Sequence, residues 1–156
     1  EGSSRVITQF LGHIVRGEPI QLVDGGTQKR AFTYIDDGIA ALMKIIANDG
    51  AIATGKIYNI GNPANNFSVR ELATMMLDLA LTYPEYRGTA GRVRIVETTA
   101  EQYYGTGYQD VQNRVPKIAN TCADLGWQPR VAMDEALKRI FEAYRGQVAA
   151  ARHLVD

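Results

Sequence analysis

The sequence predicts an α+β unit. Amphipathic helical stripes alternate with short apolar runs, and Gly, Pro, Asn and Asp punctuate the borders between them. There is no internal repeat, low-complexity tract or obvious linker. Strands this short do not make a large sheet alone, so helices must cover whatever sheet they form.

The elements follow in order. Val6, Ile7, Phe10, Leu11, Ile14 and Val15 share one helical face behind Ser3 or Ser4 as the cap. Gly17 and Pro19 break that pattern, Ile20 to Val23 reads as a strand, and Asp24, Gly25 and Gly26 form a turn. A second strand around Ala31 to Ile35 leads into a helix from about Asp36 to Asn48. There Ile39, Leu42, Met43 and Ile46 share a face, and two aspartates suit the positive end of the dipole. Ile57 to Ile60 reads as a third strand. The polar loop GNPANN then runs toward Ser68, which with Glu71 makes a capping box for a helix carrying Val69, Leu72, Met76 and Leu79. Pro84 ends that helical region, and Arg92 to Glu97 alternates as a fourth strand. A short helix near Ile118 to Leu125 stops at Gly126, and a last helix runs from about Met133 toward Leu154 on the stripe Ala136, Leu137, Ile140, Phe141 and Tyr144.

Composition narrows the functions. At 156 residues and 46% hydrophobic, the chain buries roughly 68–70% of its unfolded surface, as a globular domain does. Lys plus Arg equal Asp plus Glu at 17 each, so no net field holds a polyanion and nucleic acid is excluded as an expected partner. The single Cys122 allows neither an intrachain disulfide framework nor a multi-cysteine zinc site, and fits a reducing cytoplasm. No apolar run reaches the ~20 residues of a membrane span.

Two polar segments carry the chemistry. YYGTGYQDVQNRVP, from Tyr103 to Pro116, puts Tyr103, Tyr104 and Tyr108 beside Gly105 and Gly107, with Arg114 as a fixed cation. QLVDGGTQKRAFTYIDD, from Gln21 to Asp37, sets Lys29 and Arg30 between two apolar runs. Two cationic loops point to an anionic, phosphorylated small molecule. For Arg30, Arg114 and Tyr108 the plainer reading is a solvated arginine or a packing aromatic. Asp24-Gly25-Gly26 leads from strand to strand, so neither it nor Gly105-Thr106-Gly107 has the spacing of a dinucleotide fingerprint or P-loop. His13 and His153 lie far apart without carboxylate or thiol spacing, so no metal site is expected, and Cys122 among Ala119, Ala123 and Leu125 reads as a small core residue.

DGGTQKRAFTYIDDGIAAL, then GKIYNIGNPANNFSVRELA, then YYGTGYQDVQNRVPKIANTCADLGWQPRVAMDEAL resemble, over essentially the whole chain, the C-terminal half of extended short-chain dehydrogenase/reductases that act on nucleotide sugars. Arg-x-Phe before Ile-Asp-Asp-Gly, and Leu-Gly-Trp-x-Pro, carry the superfamily likeness. GGTQKR with YYGTGYQDVQNR is most similar to the UDP-glucuronic acid decarboxylase domain of bifunctional polymyxin-resistance enzymes. The resemblance implies an α/β fold in which residues 1–156 form the substrate-binding region of an NAD(P)-binding Rossmann enzyme, without most of the Rossmann sheet.

The same resemblance implies that Gln21, Leu22, Val23, Asp24, Gly25, Gly26, Thr27, Gln28, Lys29 and Arg30 hold the UDP of the substrate together with Tyr108, and that Arg114 is catalytic. In that family NAD+ oxidises the sugar C4 hydroxyl, the β-keto acid loses carbon dioxide, and the enolate is protonated at C5, on the route to aminoarabinose-modified lipid A. A guanidinium is hardly ever deprotonated, so Arg114 reads better as an electrostatic anchor than as the acid. The family's Gly-rich loop, Ser-Glu pair and substrate Asn have no match here, and no tyrosine has a lysine four residues on. NAD is therefore expected on an upstream half of a longer polypeptide, and this chain alone is expected to be inactive. Expected partners are UDP-glucuronate or a related UDP-sugar, that Rossmann half, a formyltransferase domain of the same polypeptide, and further copies in a homo-oligomer. Another nucleotide-sugar epimerase or dehydratase, or a non-catalytic sugar-nucleotide-binding module, are the alternatives. Packing against a Rossmann half also implies apolar stripes left partly uncovered, on the first helix above all.

Overall fold

The structure, a computed structural model, describes residues 5–104 and 111–151. In chain order the helices and strands are α1 (Val6–Arg16), β1 (Ile20–Val23), β2 (Lys29–Ala31), α2 (Ile35–Ala47), β3 (Asn66–Ser68), α3 (Val69–Thr82), α4 (Pro84–Ala90), β4 (Ile95–Thr98), α5 (Ala100–Tyr104), β5 (Asn113–Arg114), α6 (Ala119–Leu125), α7 (Met133–Tyr144) and α8 (Val148–Ala151). Two compact units result. One comprises Glu1–Gln28, Ser68–Gln112 and Leu137–Asp156; the other comprises Lys29–Phe67 and Asn113–Ala136.

In the first unit, β1 and β4 pair in parallel, with Ile20 opposite Ile95 and Val23 opposite Thr98. Helix α1 takes Arg5 as its N-cap without a side-chain bond, the predicted Ser3 and Ser4 lying outside the described residues. It ends at Gly17, whose φ of 72° lets its N–H reach back to the His13 and Ile14 carbonyls. The capping box forms as predicted: Glu71 N–H donates to Ser68 Oγ at 3.1 Å and Ser68 N–H to Glu71 Oε2 at 2.7 Å. Pro84 does end α3, and as the first residue of α4 it also starts a helix that the sequence pattern did not predict. Leu72, Met76, Tyr86, Leu137 and Phe141 are buried in this core. Tyr86 Oη donates to the Phe141 carbonyl at 2.8 Å, and burial pushes its phenol up to about 12. The expectation of an uncovered stripe on α1 fails at Phe10 and Leu11, which are 3% and 7% exposed because α3, α4 and α8 pack around that helix, while Ile7 is half-buried.

In the second unit the strand order is β3-β2-β5. Ala41, Leu125 and Trp127 form its buried cluster, with Ile45, Tyr58, Ile60 and Cys122 packed against them. Cys122, expected as a small core residue, is half-buried against that cluster. The uncovered stripe is on α2, where Ile35, Ile39, Leu42, Met43 and Ile46 are between 48% and 73% exposed. No strand forms at 57–60. Side chains of α6 satisfy that backbone instead: Asn120 Nδ2 donates to the Ile57 carbonyl and Thr121 Oγ1 to the Asn59 carbonyl. Asp124 of the same helix accepts from Lys56 Nζ at 2.8 Å and from Tyr58 Oη at 3.0 Å.

The last helix ends with its apolar stripe, short of the predicted run toward Leu154. It breaks after Tyr144 into a 3₁₀ turn, Arg145–Gln147, before α8. Gly146 within that turn has the low helix propensity that favours a break.

Candidate functional site

The predicted nucleotide-holding segment, Gln21–Gln28, lies in the first unit. Gln21 is exposed, but Leu22 and Val23 are core residues at 0% and 9% exposure, so any ligand contact from those two runs through the backbone. The turn after β1 is left-handed throughout, with φ of 47° at Asp24, 73° at Gly25 and 65° at Gly26. Aspartate tolerates that region better than most residues. A Cβ at Gly26 would come within 3.1 Å of the Arg70 nitrogen and 3.2 Å of Leu22 Cδ1, so only glycine fits. Three contacts hold the turn: Ala100 N–H donates to Asp24 Oδ1 at 3.0 Å, Arg70 Nε donates to the Gly25 carbonyl at 2.8 Å, and Arg70 pairs with Glu97. Thr27 is exposed and the Gln28 carbonyl accepts from Val69 N–H at 3.1 Å. Arg70 was not among the predicted residues. It lies within the capping box, between Ser68 and Glu71, and only the fold brings it back to the turn.

Lys29, Arg30 and Arg114 lie in the second unit, where the fold brings the two arginines together. β2 and β5 pair in parallel with Lys29 opposite Asn113 and Arg30 opposite Arg114. Residues opposite one another share a face and successive residues alternate, so Arg30 and Arg114 stand on one face of this small sheet and Lys29 and Asn113 on the other. Neighbouring strands are about 4.8 Å apart. Two like charges at such a distance repel by under ~1 kcal/mol in a water-like dielectric, and an anion placed between them reverses the sign. Arg30 Nη1 donates to the Lys29 carbonyl at 2.7 Å, while Arg114 is exposed. Paired guanidiniums suit two-point contacts with carboxylate or phosphate.

What holds β5 was not legible beforehand. Asn66 Nδ2 donates to Asn113 Oδ1 at 3.2 Å, and Asn66 Oδ1 is buried without a hydrogen-bond partner among the described residues. A Cβ at Gly61 would lie 2.4 Å from Pro116 Cγ, so the loop backbone packs directly on the exit of the strand. Asn59 Nδ2 donates to the Lys117 carbonyl at 3.2 Å. The other two loop asparagines, Asn62 and Asn65, both donate to the Val131 carbonyl, at 3.2 and 3.0 Å. Asp37, read from sequence only as a dipole partner, is 6% exposed and accepts from the N–H groups of Arg130 at 3.0 Å and Val131 at 2.9 Å. Its carbonyl takes the Trp127 indole N–H at 3.0 Å. Ile-Asp-Asp-Gly and Leu-Gly-Trp-x-Pro are therefore two halves of one clamp.

Tyr103, at the start of the tyrosine-rich segment, accepts from Gln9 Nε2 at 2.8 Å; Tyr108 lies outside the described residues. An NAD pyrophosphate needs a glycine-rich turn running from a strand into a helix N-terminus. Among the described residues none does so, the Asp24–Gly26 turn leading on to β2. These residues do not fit the cofactor. No group of His, Cys, Asp and Glu among the described residues is arranged to hold a metal, and none of the described helices is long and apolar enough to cross a membrane.

Residues 1–61 match the model of the NAD dependent epimerase/dehydratase family. The whole chain (100%) aligns with 43% of the crystal structure of the PbgP3 protein from Burkholderia pseudomallei, at 65% identity and a TM-score of 0.84. It also matches the UDP-glucose 4-epimerase of Thermotoga maritima solved with UDP-glucose, at 23% identity and a TM-score of 0.67, over 94% of this chain and 41% of that one. MoeE5 in complex with UDP-glucuronic acid and NAD gives 23% identity and a TM-score of 0.67 over 94% of this chain and 43% of its own. These last two share the fold alone. The chain spans less than half the length of each structure it matches here. Its small α/β arrangement with parallel strands matches part of an extended short-chain dehydrogenase/reductase fold of Rossmann type.

Proposed function

We propose that this chain is the substrate-binding part of an NAD-dependent enzyme of the epimerase/dehydratase family that oxidatively decarboxylates UDP-glucuronate to UDP-4-keto-pentose, for lipid A modification. The observation that carries the reading is the register pair Arg30–Arg114. UDP-glucuronate carries two anionic groups, the diphosphate that joins uridine to the sugar and the carboxylate on the sugar, and adjacent guanidiniums suit such a pair. The 65% identity with PbgP3 over the whole chain supports kinship, and the neighbours solved with UDP-glucose and UDP-glucuronic acid lend fold-level support for a UDP-sugar.

Oxidation of the C4 hydroxyl, the chemistry NAD+ supplies, falls to the rest of a longer polypeptide. This chain's part is to hold the substrate and steady its charge. In the 4-keto sugar the C5–carboxylate bond breaks, its electron pair moves toward the C4 oxygen as an enolate, carbon dioxide leaves, and C5 takes up a proton. Arg114 holds the carboxylate before the break and faces the enolate after it, as an electrostatic anchor, with the proton arriving through water. Lys29 and Arg30, with the backbone of 21–28 and Tyr108, serve the UDP. The remaining Rossmann half, a formyltransferase domain and further copies of the polypeptide complete the partners, in the cytoplasm.

The test uses the full-length protein with NAD+ and UDP-glucuronate, following carbon dioxide and UDP-4-keto-pentose. Arg114→Ala lowers kcat by about 10²–10³ for loss of one preorganised donor, with NAD+ binding unchanged. Arg30→Ala raises KM instead, since its diphosphate contact is alike in ground and transition states. A near-normal kcat for Arg114→Ala removes it from catalysis. Turnover of UDP-sugars with every carbon retained establishes an epimerase or dehydratase in place of the decarboxylase.

A further inference from the structure

We infer that the 61–66 loop positions the decarboxylating residue: Gly61 packed on Pro116, and Asn66 bonded to Asn113, hold β5 so that Arg114 stays in register with Arg30. The inference rests on the proposed function and extends it to residues that touch no substrate. β5 is only two residues long. A strand of that length has too few ladder bonds to define its own register, and a slip by one residue would turn Arg114 to the opposite face.

The loop supplies the missing restraints on both sides of Arg114. Asn113, the residue before it, is tied through Oδ1 to Asn66 on β3. Pro116, two residues after it, lies where a Cβ at Gly61 would come within 2.4 Å, so any side chain there displaces the strand exit. Asn59 adds a bond to the Lys117 carbonyl just beyond. The loop is in turn fixed within its own unit, because Asn62 and Asn65 both bond to the Val131 carbonyl and Asn62 N–H donates to Thr33 Oγ1 at 3.2 Å. Asn66 and Gly61 are positioning residues that act through Arg114.

The experiment is a double-mutant cycle in the full-length protein, reading carbon dioxide release from UDP-glucuronate with NAD+. Asn113→Ala and Gly61→Ala are expected to lower kcat on the order of 10²-fold, the loss typical of a ~1 Å misplacement, with the dissociation constant for UDP changed by less than about twofold. Combined with Arg114→Ala, either variant should cost nothing further, since its effect passes through that guanidinium. Additive losses, or a normal kcat for Asn113→Ala, overturn the inference. If Gly61→Ala does not fold, Asn113→Ala and Asn66→Ala still complete the cycle. A wild-type protein that releases no carbon dioxide refutes the proposed function instead. The positioning is then read by amide hydrogen exchange at Arg114, which Asn66→Ala must accelerate for the inference to stand.

Discussion

Asp37→Ala should unfold the second unit far more readily than helix propensity would suggest. Asp37 is 6% exposed and its Oδ2 accepts both the Arg130 and the Val131 N–H. Truncation to alanine leaves two donors without their acceptor, each costing about 1–3 kcal/mol when buried. The Arg130 side is exposed enough for water to reach, so we expect a total of about 2–4 kcal/mol. Asp37→Asn keeps an acceptor and loses only the charge assistance, so its cost should be about half as large. The assay is urea unfolding of the chain followed by fluorescence of Trp127, the chain's single tryptophan, whose indole N–H is bonded to the Asp37 carbonyl. With a slope of about 2 kcal/mol/M, the midpoint for Asp37→Ala should fall by about 1–2 M. An unchanged midpoint, or equal losses for the alanine and asparagine variants, would refute the clamp.

Substitution on the exposed stripe of α2, as in Met43→Ser, should change the stability of this chain by no more than about 0.5 kcal/mol, whereas Leu72→Ala in the core should cost about 2–5 kcal/mol by thermal unfolding. Hydrogen bonds from Lys56 and Tyr58 hold the Asp124 carboxyl below its ordinary value, so its contribution is present above about pH 4 and is lost as pH falls through the lowered folded value. The Tm difference between wild type and Asp124→Asn should therefore shrink on acidification, and a gap that widens contradicts that sign. Arg114→Thr removes a like-charge pair between β2 and β5, and should stabilise the isolated chain by about 0.2–1 kcal/mol while lowering kcat in the full-length protein; a loss of stability would show that Arg114 has a structural role.

Features set by neighbours in sequence were the legible ones. The Ser68–Glu71 box, the left-handed Gly17 and Gly126 ends and the β1 span all follow from a few adjacent residues. What failed depended on distant partners. Ile57 to Ile60 has strand-like residues but no strand alongside, and α6 side chains satisfy its backbone. The apolar stripes of α1 and α2 look alike in sequence, yet three helices cover one and the other stands exposed, a difference that periodicity does not encode. In the candidate site, Arg30 and Arg114 were marked as cations at element ends. Their opposition across β2 and β5 joins residues far apart in the chain, and a two-residue strand leaves no hydrophobic pattern to read.

The costs that gather at β5 bear on why it has this form. Two arginines directly opposite weaken a strand pair, Asn66 Oδ1 is buried without a partner, and Gly61 gives up a side chain so that Pro116 can approach. Any one of these is tolerable in a large sheet. On a two-residue strand each works against the pairing that the element exists to make. A sequence shaped by stability alone would place a β-branched residue opposite Arg30 and a satisfied polar group at Asn66. Local rules broken together at one strand, while the Ser68–Glu71 capping box and the buried core of the first unit obey them, are the pattern expected where binding an anion offsets the repulsion.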